Sequence, residues 1–257
     1  MKKLGYKTAL HAFTLSEVLI TLGIIGVVAA MTIPVLMEKY QEHAIITRLK
    51  RVYSILSQAY LFAVEEYDTP DGWGITARDS GSSDENEETY NAENAILIKN
   101  KLFEKVKTVQ SCDNAKKQTY CGMADEYKYL NGTVDSAIGS RSSSKTTSLT
   151  TIDGTALQII ANSGSLVYRG TGALEETYAI IYVDLNGTKQ PNIYGKDLFA
   201  FYLTGQNIMP VGTQNETSWS FKKCIEYGLG CTAWAISIGN LDYLKCSDLS
   251  WNGKHRC

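Results

Sequence analysis

The chain has 257 residues, a formal net charge of −2 and 20% charged side chains. A near-neutral balance with no basic stripe leaves no electrostatic footprint for general nucleic-acid binding. From residue 68 onward the chain is long enough to bury one real core.

The first twelve residues carry three lysines, Lys2, Lys3 and Lys7, ahead of an almost wholly apolar run from Phe13 to Met37. One acid, Glu17, stands near the front edge of that run. The twenty residues from Val18 to Met37, at the helical rise, span about 30 Å, one hydrocarbon core. A carboxylate near the centre of a membrane helix costs on the order of a few kcal/mol, so a partner is expected for Glu17. Lysines stay on the cytoplasmic side, which places the C-terminal part outside the cytoplasm. Gly23 and Gly26 weaken the helix and let neighbouring helices come close. Pro34 removes one backbone donor and is expected to kink or loosen it. Two plain readings of this segment exist: an ordinary secretory signal cut near Met31, and an unprocessed single-pass anchor.

Beyond Pro34 the helix is expected to continue into water. Ile45, Leu49, Val52, Leu56, Tyr60 and Ala63 recur at steps of three and four, an amphipathic stripe. Four charges of each sign lie between Glu38 and Tyr67, so the other face is solvated. Asp68, Pro70, Asp71 and Gly72 stop the helix. From Thr14 to Tyr67 it would run some 80 Å.

The remainder, residues 68–257, reads as a head. Residues 74–90 are acidic and rich in Ser and Gly, the composition of a loop. The stretch from Asn91 to Val109 has helical character, with Ile96, Leu102, Phe103 and Val106 as its apolar positions. Ser140 to Thr151 is low-complexity and reads as a loop. After it the pattern becomes strand-like: "TALQIIA", "TYAIIYVD", "DLFAFYL" and "NIMPVG" are short and rich in β-branched and aromatic residues. Asn186-Gly187 is a strong turn signal. These segments predict an α+β fold, with an antiparallel meander of about four strands laid across the helical spine.

All six cysteines, 112, 121, 224, 231, 246 and 257, fall in the head. An even number in an exported domain argues for disulfides. Six cysteines allow fifteen pairings. Nearest neighbours give Cys112–Cys121, Cys224–Cys231 and Cys246–Cys257, each closing a short loop worth about 2–3 kcal/mol in the chain-entropy model. A zinc site has little support, with no CxxC and only His255 near Cys257.

The basic leader, the Ala12–Phe13 junction, Glu17 and Pro34 together resemble the N-terminal signal of type IV pilins and type II secretion pseudopilins. The resemblance covers residues 1 to roughly 60. It implies cleavage by a prepilin peptidase after Ala12 (where the family usually has glycine) and methylation of Phe13 as the new N-terminus. The implied segments are a leader over 1–12, a transmembrane or filament-core helix over 13–37, a spine helix over 38–67 and an extracytoplasmic head over 68–257. Glu17, five residues into the mature chain, would pair with the N-terminal amine of a neighbouring subunit, and Pro34 falls at the family's proline position. The helix-on-meander head is also the family's fold. Implied partners are other pilin or pseudopilin subunits, membrane lipid, and an inner-membrane assembly platform with a cytoplasmic ATPase.

The order of Asp184, Asn186, Gly187, Pro191, Asn192, Gly195 and Asp197 looks like a motif of some pilin-like proteins. Some major pseudopilins hold calcium in a loop of the C-terminal sheet. Calcium takes six to eight oxygen ligands, and Asp184, Asn186, Asn192 and Asp197 are its candidates here. They do not match that loop residue for residue, and the twelfth position from Asp184 is Gly195 where an EF-hand closes on glutamate. The plainer reading, an Asn-Gly turn followed by an Asx-capped loop, is preferred.

No nucleophile elbow, phosphate-binding loop or zinc-protease helix is present, and no cofactor is implied; the chain reads as non-enzymatic. Two functional classes follow. One is a structural subunit, its large head favouring a minor role, of a secretion pseudopilus or type IV pilus. The other is a binding module at a filament tip, an adhesin or DNA-uptake minor pilin.

Overall fold

A computed structural model describes residues 14–75, 87–113, 121–135, 146–161 and 169–257, with backbone only for 87–90. The chain divides into two bodies, residues 1–43 and residues 44–257. Helix α1, Leu15–Tyr67, contributes to both. Its second half belongs to the larger body and buries Leu49, Val52, Leu56, Tyr60 and Ala63, the expected stripe, together with Ile46 and Ala59. Ile45 is only partly buried. The helix ends where expected: Asp68 takes a positive φ of 67°, and its carboxylate accepts the Thr69 N–H at 2.7 Å, a conformation Asp tolerates better than most residues.

The sheet has six antiparallel strands, each paired with the next in chain order: β1 Thr108–Asp113, β2 Thr146–Thr151, β3 Ala156–Ala161, β4 Thr177–Asp184, β5 Leu198–Thr204 and β6 Ile208–Pro210. Every residue of β4 and β5 is buried. That is why these strands read as continuous apolar runs and not as an alternation. One face carries Leu157, Ile159, Ile181, Val183 and Phe201, packed on α1 and on helix α2, Glu87–Leu102. Tyr53 of α1 stacks on Phe201 with ring centroids 5.7 Å apart. The other face carries Ala156, Ile180, Tyr182 and Tyr202, covered by Met123, Tyr127, Leu174 and Val211. Two short helices follow β6, α3 Phe221–Tyr227 and α4 Thr232–Ser237. Trp234 of α4 stacks on Phe221 at 4.1 Å. Disulfides join Cys112–Cys121, Cys224–Cys231 and Cys246–Cys257, the nearest-neighbour set.

Four sequence expectations change. The meander has six strands where about four are expected. The low-complexity stretch ending at Thr151 is not all loop, because residues 146–151 form the buried strand β2. Threonine is β-branched and suits a strand, and its hydroxyls find acceptors: Thr147 Oγ1 donates to the Cys112 carbonyl at 3.0 Å and Thr150 Oγ1 to the Cys121 carbonyl at 2.6 Å. The helix expected from Asn91 to Val109 is shifted. It begins at Glu87, within the stretch expected to be loop, ends at Leu102, and gives way to the edge strand β1. Its buried stripe runs through Ala92, Ala95, Ile98 and Leu102, with Ile96 only partly buried. Residues 76–86, the rest of the acidic loop, lie outside the described residues.

Leu56 is buried in the helix–sheet core and Leu61, five residues on, is 66% exposed. In residues 38–257 produced in an oxidising compartment, Leu56→Ala is expected to cost about 2–5 kcal/mol and Leu61→Ala less than about 0.5 kcal/mol. Urea unfolding of the three proteins measures both; equal costs would place the spine off the sheet.

Candidate functional site

Ala12 and Phe13, the expected processing junction, lie outside the described residues. The described chain starts at Thr14, and there it builds a reciprocal cap on α1. The Glu17 N–H donates to Thr14 Oγ1 at 3.2 Å, while the Thr14 N–H and hydroxyl donate to Glu17 Oε2 at 2.9 and 2.8 Å. This is a capping box, legible in the spacing Thr-x-x-Glu, and sequence reasoning passed over it. Glu17 thus has a partner within its own helix and stands in the first turn, where the helix dipole favours an anion.

Behind the cap, no side chain from Leu15 to Met37 is buried. The few polar groups are satisfied internally: Thr21 Oγ1 donates to the Val18 carbonyl at 3.0 Å and Thr32 Oγ1 to the Val28 carbonyl at 2.9 Å. Nothing lies within 4 Å of a Cβ built on Gly23 or Gly26. The helix runs on through Pro34, although proline deprives the Ala30 carbonyl of its donor. One helix here is long and apolar enough to cross a membrane.

The second cluster lies in the head, where β4 ends at Asp184 and β5 begins at Leu198. Asp184 is fully buried. Its Oδ1 accepts the N–H groups of Asn186 and Gly187 at 3.0 and 2.8 Å, and its Oδ2 accepts the Tyr127 hydroxyl. Asp197 Oδ2 accepts the Asn192 N–H at 2.7 Å and its Oδ1 the Ile193 N–H at 2.6 Å. Gly187 has a φ of 66° and Asn192 a φ of 51°, so the chain needs residues that tolerate the left-handed region there. The loop is tied to the segment before it by Lys128 N–H to Asn192 carbonyl, 2.9 Å, and Tyr194 N–H to Lys128 carbonyl, 3.0 Å. Burial pushes the Asp184 carboxyl up to about 7, with the nearby Asp197 charge adding to it against the hydrogen bonds it accepts. Burial also pushes Asp197 up.

The four calcium candidates therefore gather in one place, but as a turn anchor. Each carboxylate oxygen already faces an N–H or O–H donor. Among the side chains of the four residues, buried oxygens without a partner are those of the Asn186 and Asn192 amides, two neutral groups where calcium takes six to eight ligands. No group of three or more His, Cys, Asp or Glu is placed to hold a metal among the described residues. This donor set does not fit the ion.

Sequence reasoning missed that this arrangement repeats. On the same face of the sheet the Tyr194 hydroxyl donates to Asp135 at 2.6 Å. The Tyr202 hydroxyl donates to Glu216, which also accepts the N–H groups of Gly212 and Trp219 at 2.6 and 3.0 Å. Burial pushes Glu216 upward too. Each carboxylate satisfies a tyrosine hydroxyl inside the fold, and Asp184 and Glu216 hold irregular backbone as well. No local pattern in the sequence marks these pairs.

Residues 35–134 match the model of a family described as a family of unknown function (DUF6613). The match begins just after Pro34 and ends before β2, less than half of the chain. No curated protein and no solved structure matches the chain.

A carboxyl whose folded pKa is raised stabilises the fold fully below its unfolded pKa and loses that contribution as pH rises through the folded value. Asp184 therefore makes the head less stable at pH 8 than at pH 5. Asp184→Asn, which keeps the shape without the charge, is expected to flatten that slope, leaving the part due to Asp197 and Glu216. Urea midpoints at the two pH values measure it, and an unchanged slope would contradict the assignment. Millimolar calcium is expected to leave the melting temperature unmoved; a rise abolished by both Asp184→Ala and Asp197→Ala would assign a calcium site.

Proposed function

We propose that this chain is a subunit, in a minor role, of a filament assembled from the inner membrane, of the type IV pilin or type II secretion pseudopilin kind. The observation that carries the reading is the front of α1: a helix with no buried side chain from Leu15 to Met37 and a single acid in its first turn. Such a segment can sit in lipid as an anchor and later pack against other helices of its kind. The glycines at 23 and 26 leave open notches for close approach. Glu17 carries a charge that the amine of a neighbour's processed Phe13 would neutralise, turning a costly acid into a device that sets register.

In this reading a prepilin peptidase cuts after Ala12 and methylates Phe13. The chain is then a single-pass protein of the inner membrane, with its head outside the cytoplasm. The disulfides of the head suit an oxidising compartment. The chain supplies no catalysis, and the energy of assembly comes from a separate cytoplasmic ATPase acting through the membrane platform. A head starting at residue 68 is larger than packing alone needs, which supports the minor role.

Processing and pairing are separable in experiment. Mass analysis of the membrane-extracted protein is expected to give a mature chain beginning at methylated Phe13; a start near Met31, or an intact Met1, would sink the proposal. Glu17→Gln keeps the reciprocal cap, because glutamine serves at that position, and removes the charge. It is expected to insert normally and to enter filaments as poorly as Glu17→Ala in competition with wild type. If only the alanine variant were impaired, Glu17 would be a cap and nothing more.

A further inference from the structure

The two edges of the sheet are finished differently. At one edge β6 is three residues long, Ile208–Pro210, and ends in a proline that offers no N–H. The chain beyond it is tied down by α4, whose Ala233 N–H donates to the Val211 carbonyl at 2.9 Å. Shortness, proline and cover are devices that close an edge. At the other edge β1 is six residues long and has no proline. All of it but Cys112 is exposed, Val109 by 71%. One register irregularity lies between Thr108 and Gln110; from Gln110 to Asp113 the ladder with β2 is regular. Among the described residues, no backbone group of β1 has a backbone partner outside β2. An open, regular edge is a template for a further strand.

This open strand is nonetheless held in place. Lys99 of α2 donates to Ser111 Oγ at 3.0 Å and pairs with the Asp113 carboxylate. Thr147 Oγ1 donates to the Cys112 carbonyl, and Cys112 is bonded to Cys121. A strand fixed in advance loses little conformational freedom when it binds. The charge at its two ends differs. Asp113 is neutralised by Lys99, whereas Lys107, exposed and just ahead of β1, has no ion-pair partner among the described residues.

We infer that β1 docks an extended segment of a partner protein, which joins the sheet as a seventh strand. Backbone hydrogen bonds to the free edge supply the affinity, and side chains set the choice of partner. Every pairing in the sheet is antiparallel, and the added strand continues that pattern. Its C-terminal end then lies beside Lys107. The segment therefore ends in an acid, with β-branched or apolar residues before it to cover Val109. A second copy of this chain does not fit the edge. Its β6 is closed, and two β1 edges joined antiparallel are related by a twofold axis perpendicular to the sheet. That axis reverses α1, which lies on the sheet's face, so two chains anchored in one membrane cannot make the contact. The exclusion of a second copy rests on the anchoring proposed above; the open edge does not.

The test uses the full-length chain in detergent micelles and a short synthetic peptide of alternating threonine and valine ending in glutamate. At about ten times its Kd the peptide is expected to slow amide hydrogen exchange in residues 108–113 by about tenfold and to leave residues 208–210 unchanged. The same peptide methylated at every backbone nitrogen keeps its side chains but offers no N–H, and is expected to give no protection. Lys107→Glu is expected to weaken the glutamate-ended peptide by about two- to fivefold, the range for an exposed ion pair, and to favour a lysine-ended peptide by a similar factor. Val109→Cys chains in membranes are expected not to cross-link to one another; the native cysteines are already paired. Protection by the methylated peptide, an equal effect of Lys107→Glu on both peptides, or no protection at all would overturn the inference. Self-cross-linking at position 109 would overturn it too and give the edge to a second copy. Glu17→Gln tests the filament reading by filament entry and leaves β1 untouched, so the two readings fail separately.

Discussion

A central sheet buried on both faces sets the terms for everything else in the head. Strands β4 and β5 expose no residue, so each face must be covered by chain that can itself afford burial. Helices α1 and α2 cover one face at little polar cost, because a helix satisfies its own backbone. The other face is covered largely by irregular chain, residues 121–135 and the segments around Leu174 and Val211. Irregular backbone cannot satisfy itself, and buried unpaired groups are costly.

That asymmetry explains the polar chemistry of the second face. Asp184, Asp135 and Glu216 are buried carboxylates, each holding a tyrosine hydroxyl, and Asp184 and Glu216 hold loop N–H groups as well. Their burial raises the carboxyl groups of Asp184 and Glu216 and so ties part of the head's stability to pH. What reads in isolation as a ligand-bearing loop is the fastening of a sheet whose second layer, among the described residues, is largely irregular chain. The buried disulfide between Cys224 and Cys231 packs in the core of the first face and stands against the same loop at Gly195.

The first body obeys the opposite rule. Its helix buries nothing from Leu15 to Met37, and its polar side chains turn back on their own backbone or cap. A single helix, α1, therefore presents two kinds of surface: apolar all round near its start, and apolar on one stripe from Ile46 to Ala63. Only the second can pack on a sheet; the first needs lipid or other helices.

How far the chain could be read in advance follows from the range of each interaction. The apolar run, the stripe Leu49–Val52–Leu56–Tyr60–Ala63, the helix stop at Asp68 and the strands β3 to β5 are written in local residue pattern, and residue order alone determined them. The capping box at Thr14 and Glu17 was equally local. Strand β2 was not legible, because a threonine-rich segment becomes a buried strand only when β1, β3 and the carbonyls of Cys112 and Cys121 stand beside it. The three disulfides follow the nearest-neighbour pairing that the sequence offered, at separations of 9, 7 and 11 residues, whereas the end of α2 at Leu102 was settled by the strands that α2 packs on. Asp184 and Asp197 were picked out by residue type, but their role depended on which donors faced them. Tyr127, 57 residues from Asp184, is a partner that only the folded sheet brings within reach, because hydrogen bonds act over a few ångströms and take no account of separation along the chain.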